Sequence, residues 1–271
     1  MAHQRAWGRL LAAGLRARGF EPVEIDAGAP AETRVVACWG WRVGRAYRAA
    51  LDGGLPHEVL VAERGYLGDR FAFTSLGWNG LNGRADFNVE RFGLSPAPRR
   101  DFGVAALPWK TPRALPRRVL LLGQVRGDMA LRVAGIDLEA WLAVWAARWA
   151  SAGSSVAFRP HPKDAGLRVP GAEALDPGYS LGSQLAEADL AATVNSNSAV
   201  EAVLAGVPTV TADRGAMAWP VTSRPGAQAI TPERDAWLAR LTWCQWSEDE
   251  LADGSAVAHA FAGRESMGEA A

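Results

Sequence analysis

The stretch "TVNSNSAVEAVLAGVPTV" (193–210) sets Asn195, Ser196, Asn197 and Ser198 between an apolar run and a helix-like run that carries Glu201 and closes on Gly206 and Pro208. Ser198 and Glu201 have the S-x-x-E spacing of a capping box. A cap leaves Asn195, Ser196 and Asn197 unexplained. Hydroxyl and amide groups ahead of a helix N-terminus, where backbone N–H groups are free, make an anion site. Ser196 and Asn197 are therefore expected to face a ligand. Glu201 either completes the cap or accepts hydrogen bonds from a ribose.

Three further stretches carry candidate chemistry. "FRPHPKD" (158–164) reads as a strand ending in Arg159, His161, Lys163 and Asp164, with prolines stiffening the turn. Cationic groups at a strand's carboxyl end suit phosphate, which Arg grips through two N–H groups and Lys as a point charge. "LGQVRGDMAL" (122–131) places Gln124, Arg126 and Asp128 past another short strand, on a turn whose glycines permit close approach. It holds neither a dinucleotide fingerprint nor a P-loop. In "LVAERGYLGDR" (60–70) a buried-strand pattern ends in Glu63, Arg64, Asp69 and Arg70. A carboxylate there suits a general base or, equally, a salt-bridged loop. "GWNGLNGRADF" (77–87) has the Gly, Asn and aromatic content of a binding loop. Trp78, Asn79, Asn82 and Arg84 are its candidate acceptor contacts, and Trp78 serves equally well as a core plug.

The elements that must position these residues alternate. The first part reads as a helix (4–18), a strand (33–41), a helix (42–54), a second strand (57–66) and a loop-like tract (67–87). A Pro- and Arg-rich tract, 95–118, suits a linker. Strand and helix patterns then alternate from "RRVLLLGQV" (117–125) to "PTVTAD" (208–213). Two more helices follow, at 231–245 with Pro232 in the first turn and at 247–263. Alternation of this kind predicts parallel sheets wound by helices, with ligands beyond the carboxyl ends of the strands. The expected fold class is α/β, with two Rossmann-like halves facing across a cleft. The expected domains are 1–116, 117–230 and a helical tail, 231–271, packing back on the first.

Bulk composition narrows the class. The chain has 271 residues, 49% hydrophobic and 21% charged, which is ordinary for a globular protein. No apolar run reaches the roughly 18–20 residues of a membrane span, and the N-terminus reads as an amphipathic helix rather than a signal peptide. Cys38 and Cys244 lie far apart, away from any metal spacing, so a reducing cytoplasm is the expected location. No tight Asp-x-Asp pair is present, and no essential metal or cofactor is expected. Residues 1–118 hold 18 Lys+Arg and 11 Asp+Glu, and residues 119–271 hold 11 and 18. That split marks either two different surfaces or a first half that meets an acidic partner such as nucleic acid.

In order and spacing, "LGQVRGDMAL", "RPHPKD" and "NSNSAVEAVLAGVPTV" resemble the C-terminal half of capsule-polysaccharide-biosynthesis-type glycosyltransferases of GT-B fold. The resemblance covers roughly residues 117–213. It implies a nucleotide-sugar donor held by Gln124, Asp128, Arg159, His161, Ser196, Asn197, Ser198 and Glu201, to which the cationic strand end adds Lys163. "AERGYLGDR" is similar to the family's Glu-Asp-Gly-Phe turn, which supplies a catalytic aspartate. Arg64 stands in that aspartate's place, so Glu63 or Asp69 would have to serve as base. The tract from "ERGYLGDR" to "NGRADF" also resembles bacteriophage proteins, which implies a hydroxymethylated base in phage DNA as acceptor. The alternatives are a GT-B-like sugar-nucleotide epimerase and a non-catalytic nucleotide-sugar-binding module. The oligomeric state stays open.

Overall fold

The computed structural model describes residues 2–25, 35–52, 58–89, 100–111 and 113–264. In chain order the elements are α1 (Ala2–Ala17), β1 (Val35–Trp39), α2 (Trp41–Asp52), β2 (Glu58–Arg64), β3 (Thr74–Trp78), β4 (Arg118–Leu122), α3 (Met129–Ala134), α4 (Leu138–Ser151), β5 (Ser155–Arg159), β6 (Glu173–Ala174), α5 (Leu181–Glu187), β7 (Leu190–Thr193), α6 (Ser198–Leu204), β8 (Thr209–Thr211), α7 (Asp235–Leu241), α8 (Glu248–Ala252) and α9 (Ser255–Phe261). They form two compact units. Unit 1 comprises 1–103 and 235–271, and unit 2 comprises 104–234. Of the Pro-rich tract 95–118, residues 95–99 and 112 lie outside the described residues.

Unit 2 is built on a parallel sheet in the order β6-β5-β4-β7-β8. Its central strand, "RVLLL", is apolar at nearly every position because helices cover both faces. Alternation sends Val119 and Leu121 into one core, with α3 and α4, and Leu120 and Leu122 into the other, with α5 and α6. The segment before β4 belongs to this unit. Leu107 N–H donates to Leu204 O at 2.8 Å, and Lys110 N–H to Gly206 O at 2.7 Å. Gly206 is required there: its φ is +73°, and a Cβ would stand 2.1 Å from the Pro108 carbonyl oxygen.

Unit 1 departs from a full Rossmann layout. β1 and β2 pair in parallel, but β3 pairs antiparallel to β2, with Leu60 opposite Trp78 and Arg64 opposite Thr74. Thus β3 arises inside the tract whose Gly and Asn content reads as loop. All five of its residues are buried, so the strand carries no polar–apolar alternation. Against this sheet pack Trp7 and Leu11 of α1, Leu251 of α8, and Ala256, Val257 and Ala260 of α9. The approach of α1 to α8 is close enough that a Cβ on Gly14 would lie 2.0 Å from Leu251 O.

The helix patterns of the tail shift on folding. The 231–245 pattern becomes helical only at Asp235. Residues 232–234 are held within unit 2: Trp109 Nε1 donates to Pro232 O at 2.9 Å, and Arg234 donates to Val203 O at 2.6 Å while lying over the Trp109 ring. The 247–263 pattern splits at Gly254, whose φ is +84°. Among the described residues no helix is long and apolar enough to cross a membrane.

Candidate functional site

The candidate donor residues of unit 2 follow the carboxyl ends of β4, β5 and β7, three adjacent parallel strands. Beneath the surface there lies a layer of buried polar groups: Gln124, Asn195 and Asp213 are 4%, 3% and 7% exposed. Gln124 Nε2 donates to Asn195 Oδ1 at 2.8 Å, and Asn195 N–H returns a bond to Gln124 Oε1 at 3.1 Å. Asn195 Nδ2 donates to Asp213 Oδ2 at 2.8 Å and to Ala130 O at 3.1 Å. Gly215 N–H donates to the same Asp213 oxygen at 3.1 Å. Gln124 is therefore not a surface contact for a donor: both ends of its amide are engaged by Asn195. Asn195 links β4, β7, α3 and the turn after β8. Its type and its place at a strand end were visible in the sequence; Asp213 gave no signal there.

The turn that Asn195 anchors differs from a capping box. The residue capping α6 is Asn197, and Ser198 is already the first helical residue. Its backbone N–H donates to Ser196 Oγ at 3.3 Å, and those of Ala199 and Val200 donate to Ser196 O and Asn197 O at 3.1 and 2.9 Å. The backbone donors foreseen for an anion are thus already satisfied within the turn. What remains is a pair of half-buried hydroxyls, Ser196 Oγ and Ser198 Oγ, 2.7 Å apart. Whichever of them donates to the other, one O–H stays available to an outside acceptor.

The loop after β5 is set by short-range bonds. Lys163 N–H donates to His161 Nδ1 at 3.1 Å. With Nδ1 accepting, the neutral imidazole carries its proton on Nε2. Asp164 ties this loop to the one after β4. It accepts Arg126 Nε and backbone N–H at 3.0 Å on one oxygen and the Arg126 guanidinium at 2.9 Å on the other. That contact holds the Asp164 carboxyl below the usual range and raises Arg126. Asp128 is committed to structure as well, capping α3 by accepting the Ala130 N–H at 3.2 Å. Lys163 is exposed.

Arg159, at the end of β5, is braced by Gln184 Oε1 at 3.0 Å and by the Pro177 and Asp176 carbonyls at 3.1 and 3.4 Å. Burial lowers its pKa, and the charges of Glu201 and Asp176 oppose that shift. Glu201 is exposed and electrostatically coupled to Arg159, so it belongs to this cluster rather than to a cap on Ser198.

Unit 1 places its candidates differently. Glu63, next to last in β2, is half-buried, and one of its oxygens accepts the Trp41 N–H, 3.4 Å away, at the start of α2. Its charge adds to burial in pushing the Cys38 thiol up to about 12. Arg64 donates to Phe71 O at 3.2 Å and lies over the Trp39 and Phe71 rings. Asp69 is exposed and accepts the Phe71 N–H at 2.9 Å. Its turn is fastened from below by buried Gln245, whose Oε1 accepts the Tyr66 and Leu67 N–H groups at 2.7 and 2.8 Å.

Most of the acceptor candidates are structural. Trp78 is 1% exposed, and its Nε1 donates to Ala260 O at 2.8 Å, so its ring plugs the core and offers no face to a sugar or base. Asn79 accepts the Val59 N–H at 2.9 Å and donates to Glu58. Asn82 accepts the Tyr66 hydroxyl at 3.3 Å. Arg84 sits half-buried at the end of a short 3-10 turn.

The charge split also changes once the chain is divided as it folds. The tail 235–271 brings 2 basic and 7 acidic residues to unit 1. Unit 1 then carries 16 Lys+Arg and 18 Asp+Glu, and unit 2 carries 13 and 11. The +7 of residues 1–118 therefore belongs to no folded unit. No cluster of three or more metal-ligating side chains occurs among the described residues.

No family model matches the sequence. No curated protein matches it either. Solved structures do. "Thermosulfurimonas dismutans KpsC, beta Kdo 2,4 transferase" aligns over 87% of this chain and 85% of its own, at 16% identity and a TM-score of 0.57. "Thermosulfurimonas dismutans KpsC, beta Kdo 2,7 transferase" aligns over 92% and 95%, at 13% identity and a TM-score of 0.58. The chain is similar to both in fold, the mixed α/β fold of GT-B type.

Proposed function

We propose that this chain is a glycosyltransferase that moves a sugar from a nucleotide-sugar donor to a hydroxyl acceptor, with unit 2 holding the donor. One observation supports this most: a serine hydroxyl after β7, with an imidazole N–H and a braced guanidinium at the end of β5, accompanies a buried amide pair that joins the ends of β4 and β7. The fold shared with transferases is consistent with it. In this reading His161 Nε2 and the Ser196–Ser198 pair donate to the donor phosphate. Arg159 and Lys163 oppose its charge, and Glu201 accepts from a ribose hydroxyl. The acceptor oxygen forms its bond to the anomeric carbon as the bond from that carbon to phosphate oxygen breaks. The leaving nucleotide takes the electron pair, and a carboxylate takes the acceptor's proton. Asp69 and Glu63 are the proposed carboxylates. A hydroxymethylated base in phage DNA is one acceptor of this class, and its binding would weaken with salt. The near-neutral charge of unit 1 does not favour it.

A second reading, a nucleotide-sugar-binding module without turnover, draws on Arg64. Its guanidinium is held over Trp39 and Phe71, and its neighbour Glu63 accepts the Trp41 N–H. One experiment separates the two: incubation with a panel of nucleotide-sugars, with and without saccharide and hydroxymethylated-DNA acceptors, following free nucleotide. Release that requires an acceptor supports transfer. Tight binding without release supports the module, and interconversion of the sugar without release points to an epimerase.

A further inference from the structure

Helix α4 carries Trp141, Trp145 and Trp149 one turn apart on one stripe, each half-buried. Trp141 and Trp149 lean on the core of unit 2. The Trp145 and Trp149 rings are 5.4 Å apart and tilted by 47°, so they open as a wedge rather than closing face to face. The Trp145 and Trp149 rings line a cavity of about 160 Å³ together with Asp189, Arg113 and Gln228. Asp189 is rigid: its Oδ2 accepts the Arg117 and Arg118 N–H groups at 2.8 and 3.1 Å. Its Oδ1 faces Arg113 Nε at 3.5 Å, with the two side chains 24% and 45% exposed. Gln228 is exposed, Gly226 comes close enough to Trp145 that a Cβ on it would lie 3.5 Å from the indole, and the Arg148 guanidinium lies over the Trp145 ring at 4.9 Å. Asp189 and Leu190 mark the amino end of β7. The cavity therefore reaches the amino end of β7, whereas Ser196 follows its carboxyl end.

The indole surface of Trp145 and Trp149 that lines the cavity, beside a fixed carboxylate, a guanidinium and an amide, suits a flat molecule with an apolar face and a rim of hydroxyls. Planar polar side chains bridge neighbouring hydroxyls, while C–H groups pack on the rings. We infer that this cavity is a saccharide-binding site, holding one sugar unit of a glycan away from the donor residues. This does not depend on the proposed transfer activity, since a module without turnover would bind the same ligand.

The test uses the full chain on an array of neutral, amino and acidic hexose oligosaccharides, followed by titration of the best ligand and of its terminal monosaccharide. Arg113→Ala and Gln228→Ala remove exposed polar contacts without disturbing the core, and Ala227→Trp fills the cavity. Binding by the wild type is expected, with a loss of about tenfold in each variant and unchanged nucleotide-sugar binding. Retention of the monosaccharide identifies the site as a single-sugar pocket. Absence of binding to any array member, or binding equal in all three variants and wild type, overturns the inference.

Discussion

Units 1 and 2 both place polar side chains beyond the carboxyl ends of parallel strands, Asp69 in unit 1 and His161 and Ser196 in unit 2, but they support them differently. In unit 2 the buried amides Gln124 and Asn195 bond to each other, and a separate upper set, His161, Ser196, Ser198 and Glu201, is half-buried or exposed. In unit 1 the turn that carries Asp69 is tied through its backbone to buried Gln245, and the acceptor candidates around β3 are themselves structural. Trp78 and Asn79, the residue types that suggest binding, close the fold themselves. A site needs a second layer to hold the first.

The strongest way to break this contrast is Trp78→Ala. It should lower the stability of unit 1 by about 3–5 kcal/mol, read as loss of its unfolding transition in urea, with unit 2 still folded. Retention of stability would mean that Trp78 is not structural. Next is Asn195→Ala, which strands the buried Gln124 and Asp213 groups. A loss of about 1–3 kcal/mol from unit 2 is expected. His161→Ala, by contrast, should change stability by no more than about 0.5 kcal/mol.

The third prediction concerns pH. Burial lowers the pKa of His259, the Phe87 carbonyl opposes that shift, and the Arg100 charge adds to it. Below the ordinary value of 6.5 the unfolded chain binds a proton that the folded chain resists. The stability of unit 1 should therefore be full above pH 6.5 and fall as pH drops below it. His259→Phe should flatten that part of the stability–pH curve, and an unchanged slope would assign it to another group.

The smallest effect separates two identical spacings. Ser247 and Glu250 form a complete capping box at α8, whereas Ser198 and Glu201 form none. Ser247→Ala should cost about 1 kcal/mol of unit 1 stability, and Ser198→Ala almost nothing.

That pair also marks how far the sequence is legible. S-x-x-E occurs at both helices, and the pattern alone does not say which serine precedes its helix and which is already inside it. Unit 2 reads well because a buried parallel strand such as "RVLLL" is a continuous apolar run too short for a helix and bounded by Pro116 and Gly123. β3 does not read, because "TSLGW" is buried on both sides without apolar periodicity and is flanked by the Gly and Asn of true turns. The charge split misleads because the tail joins unit 1 across the whole of unit 2, a long-range fact that local composition does not carry. At the candidate site, residue types at strand ends mark the place. Which of them face outward is set by hydrogen bonds between residues 71 apart, such as Gln124 to Asn195.

The most direct test is a calorimetric titration of the wild type, His161→Ala and the Ser196→Ala/Ser198→Ala double variant with a panel of nucleotide-sugars. At least one nucleotide-sugar should bind the wild type, and each variant should bind it about tenfold or more weakly with an unchanged unfolding curve. Equal affinity in all three proteins would contradict the placement of the donor on unit 2.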